Sequence, residues 1–242
     1  MAARRPPPVD WCGRMNLANV RRWIRDVTGR AHAERLEAAK HDPWQRFDLE
    51  PPLRAFGPGA TQEFVRYLER SSRVNVETPH DIARWLLECR YADDAQLLDD
   101  ADHWLHPATF EIVRSGDCED YALWAWRKLM EGSYDADFVV GVRLAADGSR
   151  GRHAWVLFRH ESREFLFDGV ERTIARIIRP MDEVRDQYEP QVGATRGGRR
   201  FVFAGLYREE WGRRLKLKRA SHDVLGVAES GRQPGRVTAR LS

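Results

Sequence analysis

Apolar side chains recur at helical spacing through the first half of the chain and at strand spacing through the second. From Asn16 to Lys40 the set Leu17, Val20, Trp23, Ile24 and Val27 follows a helical period, with Asn16 placed to cap the first turn. Pro43, Pro51, Pro52 and Pro58, with Gly57 and Gly59, then break the pattern into a loop. Thr61–Ser71 gathers Phe64, Tyr67 and Leu68 on one helical face. Pro79–Arg90 does the same with Ile82, Trp85 and Leu86, its proline sitting in the tolerated first turn. Cys118–Glu131 is rich in Ala, Leu and Trp and ends at Gly132, a natural helix stop. After it the period shortens to that of strands: Phe138–Leu144, Ala154–Phe158 and Glu164–Phe167, with Gly148 in the turn between the first two. Ile174–Ile178 and Phe201–Leu206 are further strand candidates. Helices followed by strands on hairpin-length links predict an α+β fold with an antiparallel sheet, because parallel strands need crossovers of a dozen residues or more.

Composition bounds the class. The chain has 242 residues, 42% hydrophobic and 32% charged, with nine Trp, ten Phe and six Tyr, which is enough to build a real core. No apolar run approaches the roughly 18 residues of a membrane-spanning helix. The first residues carry arginines without an apolar stretch behind them, so no secretory signal is visible and the cytoplasm is the expected compartment. Three cysteines, Cys12, Cys89 and Cys118, do not make a disulfide scaffold. Consecutive prolines Pro6-Pro7-Pro8 mark residues 1–15 as an unstructured arm. Residues 16–206 are expected to form one domain, helical to residue 115. Residues 207–242 form a basic tail.

Charge is near balance overall, at +3, but not along the chain. Residues 196–242 hold twelve basic and four acidic side chains, leaving the preceding body with a net charge of −5. Such a tail suits an acidic partner or anionic surface, and equally a merely solvated terminus. Nucleic-acid binding through it would be strongly salt-dependent.

The densest chemistry lies in Ser115-Gly116-Asp117-Cys118-Glu119-Asp120-Tyr121. Cys118 opens a helix, where unpaired N–H groups and the helix dipole favour negative charge and can lower a thiol pKa. Asp117, Glu119 and Asp120 oppose that shift if they face the sulfur. A cysteine or a histidine alone at such a place is commonly structural. Here His153 lies on the strand HAWVLF, and Asp168 closes the next one, EFLFD. Hairpin pairing of those strands would bring both to one sheet edge, the nucleophile, base and orienter arrangement of a triad.

The order Cys118, His153, Asp168, within GDCEDYA and HAWV, resembles the transglutaminase-like superfamily, and more closely its bacterial transglutaminase-like cysteine proteinases. The segment Trp104-Leu105-His106-Pro107-Ala108-Thr109-Phe110 is similar to that family's W-x-x-P-x-x-F motif. The similarity spans roughly Tyr91 to Pro190, under half the chain. It implies a papain-like α+β fold, with a catalytic helix on an antiparallel sheet, and a peptidase or amidase acting on protein or peptide substrates. In that implied scheme Cys118 is the nucleophile, His153 the base and then acid, and Asp168 the orienter. The Trp104 indole N–H is a candidate oxyanion donor, with ordinary core packing as its other role. Water as acyl acceptor makes a hydrolase, an amine makes a protein–glutamine transferase, and a triad that is not assembled leaves a protein-binding module. Some relatives are exported proteins that trim surface adhesins.

The same resemblance implies a calcium site at Asp117 and Glu119, although the chemistry itself needs no cofactor. Calcium takes six to eight oxygens, for which Asp93, Asp94, Asp99, Asp100 and Asp102 are nearby candidates. Asp117 is equally suited to cap the helix. His103 and His106 have no companion pair, so zinc is not expected, and Gly197-Gly198 lacks the rest of a phosphate loop.

Overall fold

A computed structural model of the chain describes residues 17–93, 103–145 and 147–208. The expected arm over residues 1–15, the tail from 209 onward, Cys12 and the acids Asp94, Asp99, Asp100 and Asp102 lie outside the described residues. In chain order the elements are α1 (Leu17–His41), β1 (Arg46–Phe47), α2 (Pro79–Leu87), β2 (Arg90–Tyr91), α3 (Pro107–Val113), β3 (Ser115–Gly116) and α4 (Cys118–Glu131). They continue with β4 (Asp135–Leu144), β5 (Arg150–His160), β6 (Arg163–Phe167), α5 (Ile174–Ile177), β7 (Ile178–Pro180), α6 (Met181–Val184), β8 (Tyr188–Ala194) and β9 (Arg200–Phe203). Seven strands form one antiparallel sheet in the order β1-β9-β8-β4-β5-β6-β7, while β2 and β3 make a small parallel pair. The fold is α+β, as the pattern predicts.

The sheet is organised by helix α4, which is buried from Asp120 to Met130, including the charged Asp120, Arg127 and Lys128. Trp124 and Trp126 are inaccessible to solvent, and the Trp126 indole donates to the Ala136 carbonyl at 3.1 Å. The larger core joins this helix to α2, Phe56, Phe64 and Phe110 and to one face of the sheet through Phe138, Ala154, Val156 and Phe158. Alternate positions of the same strands, Val139, Trp155 and Leu157, join Tyr188, Phe201 and Phe203 in a second core on the other face. A sheet with both faces covered explains the almost unbroken apolar run of β5.

Three expectations need correction. Thr61–Ser71 is a single 3₁₀ stretch, Phe64–Leu68, entered from an extended Glu63. Phe64 and Tyr67 still bury, so the apolar set was right and the helix too long. Ile174–Ile178 is a helical turn, α5, followed by the short strand β7, because Thr173 starts a turn that ends in an extended Ile178. Strand β8 has no counterpart in the pattern: its Pro190 and Gly193 argue against a strand. It lies in the sheet's interior nonetheless, and Pro190 sits where the β4–β8 register shifts between Val140 and Gly141. Gly141 is required there, since a Cβ would lie 2.2 Å from the Glu189 carbonyl oxygen and 2.7 Å from Trp155. Among the described residues no helix is long and apolar enough to cross a membrane.

Candidate active site

The motif around Cys118 works first as a local folding device. Asp117 is the N-cap of α4 and forms a capping box with Asp120. Asp120 is fully buried, accepting from the Asp117 N–H at 3.4 Å and from the Leu105 N–H at 2.7 Å. That second bond ties the segment carrying Trp104 to the start of the helix. Gly116 has no side chain because Asp120 occupies the space: a Cβ would come within 2.2 Å of the Asp120 carboxylate. Sequence reasoning treated Asp120 only as a charge near the sulfur. The capping spacing Asp117-x-x-Asp120 was the signal that identified its structural task.

Cys118 therefore begins the first turn, facing a cavity of about 250 Å³ lined also by Trp104, Asp117, Glu119, Tyr91, His153 and Arg152. The expected hairpin is present: β5 pairs antiparallel with β6 from Val156↔Phe167 to His160↔Arg163. Asp168 follows directly and is fully buried. The His153 Nε2–H donates to Asp168 Oδ2 at 2.9 Å. His153 lies within β5 rather than at its start, because the strand begins at Arg150.

Two more side chains, absent from the sequence reading, meet the same carboxylate oxygen. The Tyr188 hydroxyl donates to Asp168 Oδ2 at 2.7 Å and Arg143 Nη1 donates at 3.3 Å. Burial alone raises the Asp168 pKa, but His153, Tyr188 and Arg143 outweigh it and hold the carboxyl below its ordinary range. The Tyr188 phenol is pushed up by its burial and by that anion. Tyr188 comes from β8, the strand the pattern did not reveal.

The thiol is in a different state from the one a helix N-terminus suggests. Cys118 Sγ donates to Glu119 Oε2 at 3.0 Å. Burial, then the Glu119 and Asp117 carboxylates, raise the thiol pKa well above its ordinary value, opposed by the Ala154 N–H. Burial is the larger cause and the neighbouring acids add to it. His153 and Cys118 line the same cavity.

Asp117, Cys118 and Glu119 bring one potential ligand atom each within 4.8 Å of one another. Two carboxylates beside a thiol offer hard oxygens of the kind calcium takes. Tyr91 lines the same cavity, and its phenol is pushed up by burial and by Cys118, Asp117, Asp93 and Glu119, which places Asp93 in the same electrostatic neighbourhood. Trp104 is buried against Phe138, with ring centroids 5.6 Å apart, and also lines the cavity, so packing and access to the site coexist in one side chain. His106 caps α3 through the Ala108 N–H at 3.1 Å and also contacts the Arg66 carbonyl.

No protein-family profile matches the chain, and no curated protein matches it in sequence. Solved structures do. Calcium-bound LapG from Legionella pneumophila is 18% identical with a TM-score of 0.40, over 58% of this chain and 76% of its own. The chain is similar to LapG. A further LapG structure gives 16% identity and a TM-score of 0.39 over 72% of this chain and 87% of LapG. An EGTA-treated LapG gives 15% and 0.37 over 67% and 80%.

Proposed function

We propose that the chain is a cysteine hydrolase of protein or peptide amide bonds. The observation that carries this is the His153–Asp168 hydrogen bond, with His153 lining the same cavity as Cys118. In this reading the thiol rotates from Glu119 towards His153 when substrate enters. His153 takes the thiol proton as Cys118 Sγ bonds to the amide carbon. The tetrahedral oxyanion collapses, the C–N bond breaks, and the imidazolium returns its proton to the departing amine. Water, deprotonated by His153, then cleaves the thioester and restores the thiol. Asp168 stays ionised throughout and holds the ring. The Cys118 N–H and the Trp104 indole are the donors offered to the oxyanion.

A second reading concerns Asp117 and Glu119, which would hold a calcium ion with Asp93 as a further oxygen source. The ion's charge would draw Glu119 off the thiol and offset the repulsion that raises its pKa. Its support is the 4.8 Å cluster itself. Domain limits at residues 16 and 206, and a tail that engages an acidic partner, belong to the same set of proposals.

Intact-mass detection of an acyl-enzyme with a peptide ester tests the hydrolase reading, run with calcium and with a chelator. The parent is expected to accumulate one acyl group per chain, Cys118→Ala none, and His153→Ala at least about a hundredfold more slowly. Hydrolysis retained in folded Cys118→Ala would sink the reading. Incorporation of a primary amine into product would identify transfer instead, and an inert thiol in both conditions would favour the binding module. An acylation rate indifferent to calcium would remove the second reading alone.

A further inference from the structure

Asp168 Oδ2 is an unusually crowded acceptor. His153, Tyr188 and Arg143 all donate to it, at 2.9, 2.7 and 3.3 Å, while Oδ1 has only the Val170 N–H at 3.4 Å. The orienting carboxylate of a triad needs one partner, the imidazole. Here the other two come from different strands, β4 and β8, and each is itself braced. The Tyr188 hydroxyl accepts from Arg179 Nη2 of β7 at 2.8 Å, which fixes its own proton on Asp168. Arg143 is shared with the buried Glu171, which also pairs with Arg176 at 2.9 Å. The Tyr188 ring lies 6.4 Å from the His153 ring and 5.1 Å from Trp155, walling the imidazole on its inner side.

We propose that Tyr188, held by Arg179, and Arg143 are positioning residues that set the basicity of His153 by competing with it for one oxygen of Asp168. Each donor withdraws negative charge from the atom that stabilises the imidazolium. Arg143 adds a repulsive positive charge of its own. Both effects weaken the hold that Asp168 has on the imidazolium, and so ease return of the proton to the leaving amine. The charged and titratable groups around the pair are Arg143 on β4, Arg152 on β5, Tyr188 on β8, Arg179 on β7, Glu171 and Arg176 after β6, Tyr91 on β2, and Cys118 with Asp117 and Glu119 at the start of α4. Of these, Tyr188 and Arg143 are the ones that touch the orienting oxygen.

This inference rests on the hydrolase reading for its catalytic meaning, but its first measurement does not. The ring-proton NMR titration of His153 is recorded in the full chain for the parent, Tyr188→Phe, Arg143→Gln and Arg143→Lys, with thermal melts alongside. Tyr188→Phe should raise the His153 midpoint by about half a unit to one unit, the size expected for losing a hydrogen bond to a charged group. Arg143→Gln should raise it likewise, and Arg143→Lys should restore most of the parent value. In the pH profile of kcat/KM the rising limb should move up by the same amount in both affected variants. That costs several-fold in rate near pH 6.5 and little near pH 9. Lowered melting temperature with an unmoved His153 midpoint would make Tyr188 and Arg143 merely structural and overturn the proposal. A moved midpoint beside hydrolysis that survives Cys118→Ala would leave the tuning intact and overturn the hydrolase reading instead.

Discussion

The two ends of helix α4 handle buried charge in opposite ways. At its C-terminal end Lys128, 1% exposed, reaches Glu131 Oε2 at 2.8 Å, Ser72 Oγ and the Val74 carbonyl, with Glu111 at 3.6 Å. Glu111 in turn accepts from Ser72, from the Arg73 N–H at 2.8 Å and from the Trp124 indole at 3.0 Å. Every charge there meets an opposite charge or a donor, and the cations also suit the negative end of the helix dipole. At the N-terminal end the acids suit the dipole too, but they flank a thiol whose ionisation they oppose. One end is satisfied for folding. The other is satisfied for folding and electrostatically wrong for the sulfur, and that local conflict marks where chemistry is expected rather than stability.

The largest effect that would break this contrast is at the satisfied end. Lys128→Met leaves Glu111 and Glu131 without their shared cation, and should destabilise by about 3–5 kcal/mol in denaturant titration. A loss below about 1 kcal/mol would mean that the buried network is not the clamp described here.

Acid sharpens the comparison next. Burial raises the Glu111 pKa, but Ser72, the Arg73 N–H, Trp124 and Lys128 outweigh it, leaving the carboxyl below its ordinary range, as for Asp168. A carboxyl lowered in the folded state contributes stability that is fully present above its unfolded value of about 4 and is lost as pH falls through the folded value. Melting temperature should therefore hold from about pH 7 to 5 and drop below about pH 4. Glu111→Gln should flatten that drop, and an unchanged slope would exclude Glu111 from it.

The smallest effect on stability belongs to the other end. Glu119→Gln removes a part-exposed acid that pairs with the thiol, and should change stability by no more than about 0.5 kcal/mol. The same substitution lowers the Cys118 pKa, because a like charge has gone, so iodoacetamide should label Cys118 several-fold faster at pH 8. Slower labelling would mean that Glu119 activates the sulfur instead of restraining it.

The sequence was legible where function and local structure coincide. The helix Cys118–Glu131 has the ends that its pattern predicts, because Asp117 caps its first turn and Gly132 stops it after a stretch rich in Ala, Leu and Trp. His153 and Asp168 come together because one short turn, Glu161–Ser162, joins their strands. Thr61–Ser71 shows the limit on the helical side: three apolar residues at the right spacing bury equally well from a 3₁₀ stretch, so spacing alone does not choose between them. Strand β8 shows the limit on the strand side. Its Pro190 sits beside the extra residue Gln191, where β8 bulges against Val140 and Gly141 of β4, and only the pairing with β4 reveals that bulge.

The chain's own pattern determined the α+β order and the helix Cys118–Glu131, and it singled out Cys118, His153 and Asp168 as the candidate site, since periodicity and turn signals act over a few neighbouring positions. What only the tertiary structure decided is the state of those residues. Tyr188 and Arg143 reach Asp168 from strands 20 and 25 residues distant in sequence, and Lys128 finds Ser72 across 56. The raised thiol pKa depends on how deeply the fold buries Cys118 and on the Glu119 and Asp117 carboxylates beside it. Hydrogen bonds and desolvation act over a few ångströms in space, whatever the separation along the chain, so no local pattern records them.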